Sequence, residues 1–180
     1  GFLHQGDLAG DYQVCCPVEQ DVVAFQNSYR ERFPQHADHV DDKDRFYVTS
    51  AREFYYPDGV FSPWAMDRSL NSFYEESQRR GRRNIRATAD MVWAQEAIPG
   101  REHLMVYESR LNYFIPGKPW ISVCLYNTRA FDGATIMQVL QTHPYVIESG
   151  VILENPYYRD PDVWLTKHAP EFLGGADHDE

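Results

Sequence analysis

Pro99-Gly100-Arg101-Glu102-His103-Leu104-Met105-Val106-Tyr107-Glu108-Ser109-Arg110-Leu111-Asn112-Tyr113-Phe114-Ile115-Pro116-Gly117 runs almost directly into Trp120-Ile121-Ser122-Val123-Cys124-Leu125-Tyr126. In the first stretch Leu104, Tyr107, Leu111 and Phe114 recur at three- and four-residue intervals between two Pro-Gly pairs, the spacing of a helix with one buried stripe. In the second, Ile121, Val123 and Leu125 alternate with Ser122, Cys124 and Tyr126, the period of a strand. A helix that delivers the chain into an apolar strand is the building unit of a parallel sheet.

The same alternation extends outward in both directions. Upstream, Tyr12-Gln13-Val14-Cys15-Cys16 before Pro17 reads as a strand, and Val22, Phe25, Tyr29 and Phe33 as a helix stopped by Pro34. The polar, acidic run from His36 to Asp44 reads as a solvated loop, and Arg45 to Thr49 as a second strand. Ser62 can cap, and Pro63 start, a helix that buries Met66, Leu70, Phe73, Tyr74 and Ser77, ends at Gly81 and sets Arg79 and Arg80 against its C-terminal dipole. Asn84 to Ala89 is a third strand. Downstream, Asp132 caps a short helix with Ile136, Val139 and Leu140 inside, Tyr145 to Glu148 is a fifth strand candidate, and the tail from Gly174 is expected to be disordered. The predicted fold class is α/β, three layers, with a mostly parallel sheet and helices on both faces, and residues 1–173 forming a single domain. Ligands in such sheets bind outside the carboxyl ends of the strands, which directs attention to Ser50, Asp90 to Trp93, Tyr126 to Arg129 and Glu148.

Composition narrows the function classes. The net charge of -10 repels a polyanion, so direct nucleic-acid binding is not expected. No window is long and apolar enough for a membrane span, and no leader pattern opens the sequence; a soluble cytoplasmic protein is the expectation. Three cysteines, two of them adjacent at Cys15 and Cys16, fit reduced thiols better than a disulfide framework. Aromatic residues reach 14%, more than the core requires, which points to a lined pocket or an interface.

The usual phosphate-binding loops are absent, as are the common serine hydrolase, zinc protease and C-x-x-C signatures. ATP hydrolysis and tight ATP binding are therefore not expected. His36, Asp38, His39, Asp41 and Asp42 could gather a divalent metal, but a solvated acidic loop is the better reading, and no metal ligand is assigned. Arg79-Arg80-Gly81-Arg82-Arg83 could hold a phosphate or an acidic partner; a helix end and turn explain most of it. Cys15-Cys16 could be a redox pair, though buried inert thiols are the plainer expectation.

A more specific constellation comprises Thr88-Ala89-Asp90-Met91-Val92-Trp93-Ala94, Tyr107-Glu108-Ser109-Arg110-Leu111-Asn112, Cys124-Leu125-Tyr126, Thr142-His143-Pro144 and Glu154-Asn155-Pro156-Tyr157-Tyr158. With Tyr56-Pro57-Asp58-Gly59-Val60-Phe61, these motifs resemble the MEDS (methanogen and methylotroph sensory) domain family in order and spacing over roughly residues 46 to 165. The resemblance implies a degenerate RecA-like fold without its phosphate loop, and a role in sensing small organic molecules beside DNA-binding, histidine-kinase or anti-sigma modules. Phe2-Leu3 through Gly10-Asp11-Tyr12 looks like the end of the family's first helix and the start of its second strand. The usual opening strand has no counterpart, and the edge or groove so exposed suggests a homodimer.

The candidate ligand site consists of Asp90, Met91, Trp93, Glu108, Asn112, Cys124, Tyr126 and His143. Trp93 and Tyr126 would supply apolar walls with polar edges, and Asp90 a directional acceptor. Structural alternatives stand beside these roles: Asp90 as a cap, Trp93 as core, Glu108 and Asn112 as partners of buried backbone, and His143 as a cap of helix carbonyls. The leading reading is a small-molecule-sensing domain of a bacterial or archaeal signalling or transcription-regulation system, without catalysis. One alternative is a small enzyme using Asp90, Glu108 or His143 for acid–base chemistry or Cys124 as nucleophile. The other is a protein-interaction module, with a signalling protein as partner. The sequence names no cofactor.

Overall fold

A computed structural model describes residues 1–18, 21–81 and 84–174. Arg82 and Arg83 of the basic run, and the tail beyond Gly174, lie outside the described residues. Four strands, β1 (Tyr12–Cys16), β2 (Phe46–Val48), β3 (Ile85–Asp90) and β4 (Trp120–Leu125), form an all-parallel sheet in the order β2-β1-β3-β4. The helices are α1 (Phe2–Leu8), α2 (Val22–Arg32), α3 (Ala51–Tyr55), α4 (Pro63–Arg79), α5 (Leu104–Phe114), α6 (Gly133–Thr142) and α7 (Pro161–His168). The predicted three-layer α/β class is the observed one.

The two-residue period of the strands sorts the core into two halves. Tyr12, Val14, Cys16, Ile85, Ala89 and Trp120 face one way, packing with Met66 and Leu70 of α4 and with Leu104 to Tyr107 of α5. Cys15 and Phe46 face the other way and pack with Leu3 of α1 and Tyr29 of α2. The order in which strands are added reverses between β1 and β3: β2 lies on one side of β1, while β3 and β4 follow on the other. That reversal opens the usual crevice at the carboxyl ends of the strands.

Local signals explain the helix starts. The Ser62 hydroxyl accepts from the Ala65 amide and Pro63 fills the first helical position of α4; the Asp132 carboxylate accepts from the Thr135 amide at the start of α6. The chain enters α5 through Gly100, whose φ of +85° and close approach to the Phe61 carbonyl both exclude a side chain.

Two expectations need correction. Tyr145–Glu148 is a strand, β5, but it does not join the parallel sheet. It pairs antiparallel with β6 (Val151–Glu154) in a separate hairpin. Only Ser149 and Gly150 separate the two, both at positive φ, and a two-residue turn of that kind permits only an antiparallel partner. The hairpin projects Ile147, Val151, Ile152 and Leu153 outward. The acidic stretch from His36 to Asp44 is not a free solvated loop either. His36 ends one short 3-10 turn and His39–Asp41 form another that buries Val40, and Arg30 binds Asp41 at 2.7 Å while His39 Nδ1 meets the buried Asp7 carboxylate at 2.7 Å. Cys15 and Cys16 are buried free thiols, and burial pushes the Cys15 thiol up to about 12.

Candidate functional site

Helix α5 is buried from Leu104 through Arg110 on every side, so its polar residues need partners inside the protein. Arg110 finds them structurally. Its Nε and Nη2 donate to Asp67 of α4 at 2.8 and 2.5 Å, its Nη1 donates to the carbonyls of Phe172 and Gly174, and its guanidinium lies 3.9 Å from the Trp64 ring centre.

Glu108, only 1% exposed, is served differently. The Tyr126 hydroxyl donates to Glu108 Oε1 at 2.6 Å, and the Cys124 thiol approaches Oε2 at 3.8 Å. His143 Nε2 lies 3.5 Å from the same Oε2. Alternation along β4 explains why Cys124 and Tyr126 arrive together on the α5 side of the sheet, at its carboxyl end. Burial pushes both the Cys124 thiol and the Tyr126 phenol well up, and the neighbouring Glu108 charge adds to each shift. Both groups therefore stay protonated and keep their hydrogens directed at the carboxylate.

His143 follows α6, and its ring works at both ends. Nδ1 lies 2.8 Å from the Val139 carbonyl, which can only accept, so Nδ1 carries a hydrogen and Nε2 is left to face Glu108. The backbone around it is held from two directions. Asn112, one turn beyond Glu108, donates to the Thr142 carbonyl at 2.9 Å and also to the carbonyls of Glu108 and Ser109. Asn155, just after the hairpin, donates to the carbonyls of Leu140 and His143.

The remaining sequence candidates sit elsewhere. Asp90 caps the short turn Met91–Gln95 by accepting from the Val92 amide at 3.0 Å. Met91 is fully buried and receives the Tyr55 hydroxyl at 3.7 Å from its sulfur. Trp93, 1% exposed, stacks on Tyr55 at 4.9 Å and touches Tyr56 and Phe61. Tyr55 connects the two groups, because it borders with Cys16, Ala89, Tyr107 and Cys124 a void of about 30 Å³, roomy enough for a water-sized guest. The structure thus brings Glu108, Cys124, Tyr126 and His143 into contact, sets Asn112 behind them, and keeps Asp90, Met91 and Trp93 in the adjoining wall.

Sequence reasoning placed neither Asn155 nor Tyr55 in the site. Asn155 does stand within a quoted motif, where an Asn-Pro turn signal hinted at its role. A larger cavity of about 330 Å³ was also missed. It lies on the opposite face of the sheet, lined by Phe2, His4, Phe25, Phe33, Val123 and Leu125 among others. Three donor atoms able to hold a metal, on Glu108, Cys124 and His143, lie within 4.8 Å of one another. Among the described residues no helix is long and apolar enough to cross a membrane.

No curated protein and no solved structure matches the chain. A family profile does, over residues 1–144: that of MEDS, the methanogen/methylotroph, DcmR sensory domain. The match includes the N-terminal part, where the resemblance read from the sequence was weakest, and stops before the β5–β6 hairpin. Helices α1 to α6, the four-stranded sheet and all four members of the Glu108 cluster fall inside it, and on that extent the chain belongs to the MEDS family of sensory domains.

Proposed function

We propose that this sensory domain binds a small organic molecule at the carboxyl end of β4 and passes the signal on without catalysing a reaction. The observation that carries the reading is the Glu108 cluster: a carboxylate with almost no exposure, met by a phenol, a thiol and an imidazole at the strand ends. A buried charge of this kind is costly unless it has a purpose or complete partners, and such groups mark functional sites. His143, whose side chain is 23% exposed, opens the cluster to solvent. Met91 and Trp93 support the wall through Tyr55, Asp90 caps the turn that carries them, and Asn112 fixes the backbone that carries His143. The absence of a phosphate loop and the protonated state of Cys124 favour binding over catalysis.

A second reading places the molecule in the larger cavity, whose volume of about 330 Å³ suits a small ligand and whose walls are chiefly apolar. Thermal shift with a panel of small alcohols, amines, carboxylic acids and apolar compounds separates the two. Stabilisation by a compound that is lost in Tyr126→Phe and kept in Leu125→Trp supports the strand-end site. The reverse pattern supports the cavity, and no shift with any compound counts against sensing by this domain.

A further inference from the structure

Two lone pairs face each other in the Glu108 cluster. His143 Nδ1 holds its hydrogen against the Val139 carbonyl at 2.8 Å, so the neutral ring presents the Nε2 lone pair to Glu108 Oε2 at 3.5 Å. Cys124 Sγ stands 3.8 Å from the same oxygen. A cation between these atoms resolves the repulsion, and it is either a proton on the imidazole or a metal ion.

We infer that Glu108 Oε2, Cys124 Sγ and His143 Nε2 form a three-ligand site for a divalent transition-metal ion of the zinc class. A tetrahedral zinc ion with bonds of about 2.0–2.3 Å holds its ligand atoms about 3.3–3.8 Å apart. The two gaps to Glu108 Oε2, 3.5 and 3.8 Å, already fall in that range, and all three atoms lie within 4.8 Å of one another. Closing the sulfur-to-nitrogen pair takes about 1 Å or less, which a small rotation of the partly exposed His143 ring can supply. A thiolate and an imidazole select zinc-like ions over magnesium or calcium, which prefer oxygen.

The second layer of contacts is also that of a metal site. The non-ligating nitrogen of His143 donates to a backbone carbonyl, and the non-ligating oxygen of Glu108 accepts from the Tyr126 hydroxyl at 2.6 Å. His143 and Glu108 are thereby each aimed by the atom they do not use. Binding displaces the proton from Cys124 Sγ to solvent, and the resulting thiolate and the Glu108 carboxylate together balance the charge of the ion. Three protein ligands leave a fourth position open, where a small polar molecule could bind directly; that last step rests on the sensing reading, whereas the three ligands do not.

The test uses the whole chain stripped by a chelator and titrated with Zn²⁺ alone, then with Co²⁺ as a spectroscopic stand-in. One equivalent of Zn²⁺ is expected to bind more tightly than about 1 μM, with a thiolate-to-Co²⁺ charge-transfer band in the near ultraviolet. Cys124→Ser should abolish the band, His143→Ala should remove the rise in Tm that Zn²⁺ gives the wild type, and Tyr126→Phe should weaken binding on the order of 10-fold. Retention of the band in Cys124→Ser would assign it to Cys15 or Cys16 and overturn the proposal. So would loss of binding in a His36→Ala/His39→Ala variant, or substoichiometric binding to the wild type, which leaves an imidazolium–carboxylate pair. No organic compound is present in these titrations, so their failure leaves small-molecule sensing standing, and failure of the compound panel leaves the metal site standing.

Discussion

Asn155 holds the backbone of His143 from outside the family-matched region: its single side-chain nitrogen donates to the His143 carbonyl at 2.7 Å and to that of Leu140 at 2.6 Å. Its own amide donates to Pro144, so the residue clamps both sides of the turn that carries the imidazole. Asn155→Ala leaves two carbonyls short of a partner and should cost about 1–3 kcal/mol. Chemical denaturation measures that loss, and nitrogen-detected NMR of the His143 ring should report a weakened Nδ1 hydrogen bond; an unchanged denaturation midpoint would contradict this role.

Trp93 is a packing residue in the closing wall, and its ring meets those of Tyr55, Tyr56 and Phe61. Trp93→Ala should therefore lower stability by about 3–5 kcal/mol, the usual cost of emptying a buried aromatic site. A thermal melt within a few degrees of wild type would show instead that the ring is dispensable to the fold.

Asp67 and Arg110 form the buried ion pair between α4 and α5. Asp67→Ala strands the guanidinium and should cost about 3–5 kcal/mol, whereas Asp67→Leu with Arg110→Met removes both charges and should recover most of it. Comparing urea midpoints of the single and double variants checks the expectation, which fails if the double variant is the less stable.

Acid should weaken the α1 side of the molecule in two stages. Burial and the nearby His36 hold His4 below its ordinary value of 6.5, so the unfolded chain takes up the proton first and stability begins to fall as pH drops below that value. Burial pushes the Asp7 carboxyl up, but hydrogen bonds from His39, Tyr29 and Arg45 outweigh it and hold the group below its ordinary 3.8. Its contribution is complete above that value and is lost as pH falls further. Asp7→Asn should be less stable at neutral pH and show a flatter acid limb in denaturation midpoints; an acid limb as steep as wild type would refute the assignment.

Much of this architecture could be read from local chemistry. Ser62-Pro63 and Asp132 announce α4 and α6, whereas the short α3, capped by the Ser50 hydroxyl that accepts from the Glu53 amide, went unread. The hairpin was half legible: Tyr145 to Glu148 has strand composition, but the antiparallel partner Val151–Glu154, set by the positive φ of Ser149 and Gly150, appears only in the folded chain. In the site, the alternation of Cys124 and Tyr126 and the one-turn spacing of Glu108 and Asn112 put each pair on one face. What no spacing reveals is that α5 is enclosed on all sides. Its helical stripe predicts a half-buried helix, and only the packing of α4, α6 and α7 around it turns Glu108 from an edge residue into the centre of a polar cluster.

The placement of β1 also governs the order in which the molecule can assemble. Gln13 pairs with Phe46 on one side and with Arg86 on the other, so β1, which precedes both of its neighbours in the chain, waits for partners made later. Pairings this distant in sequence carry a high loop-closure entropy and slow the search for the native sheet. The pairing of β3 with β1 is therefore expected to limit the rate, so that Ala87→Gly, opposite Val14, slows refolding in stopped-flow measurements while leaving the unfolding rate nearly unchanged; an unchanged refolding rate would contradict it.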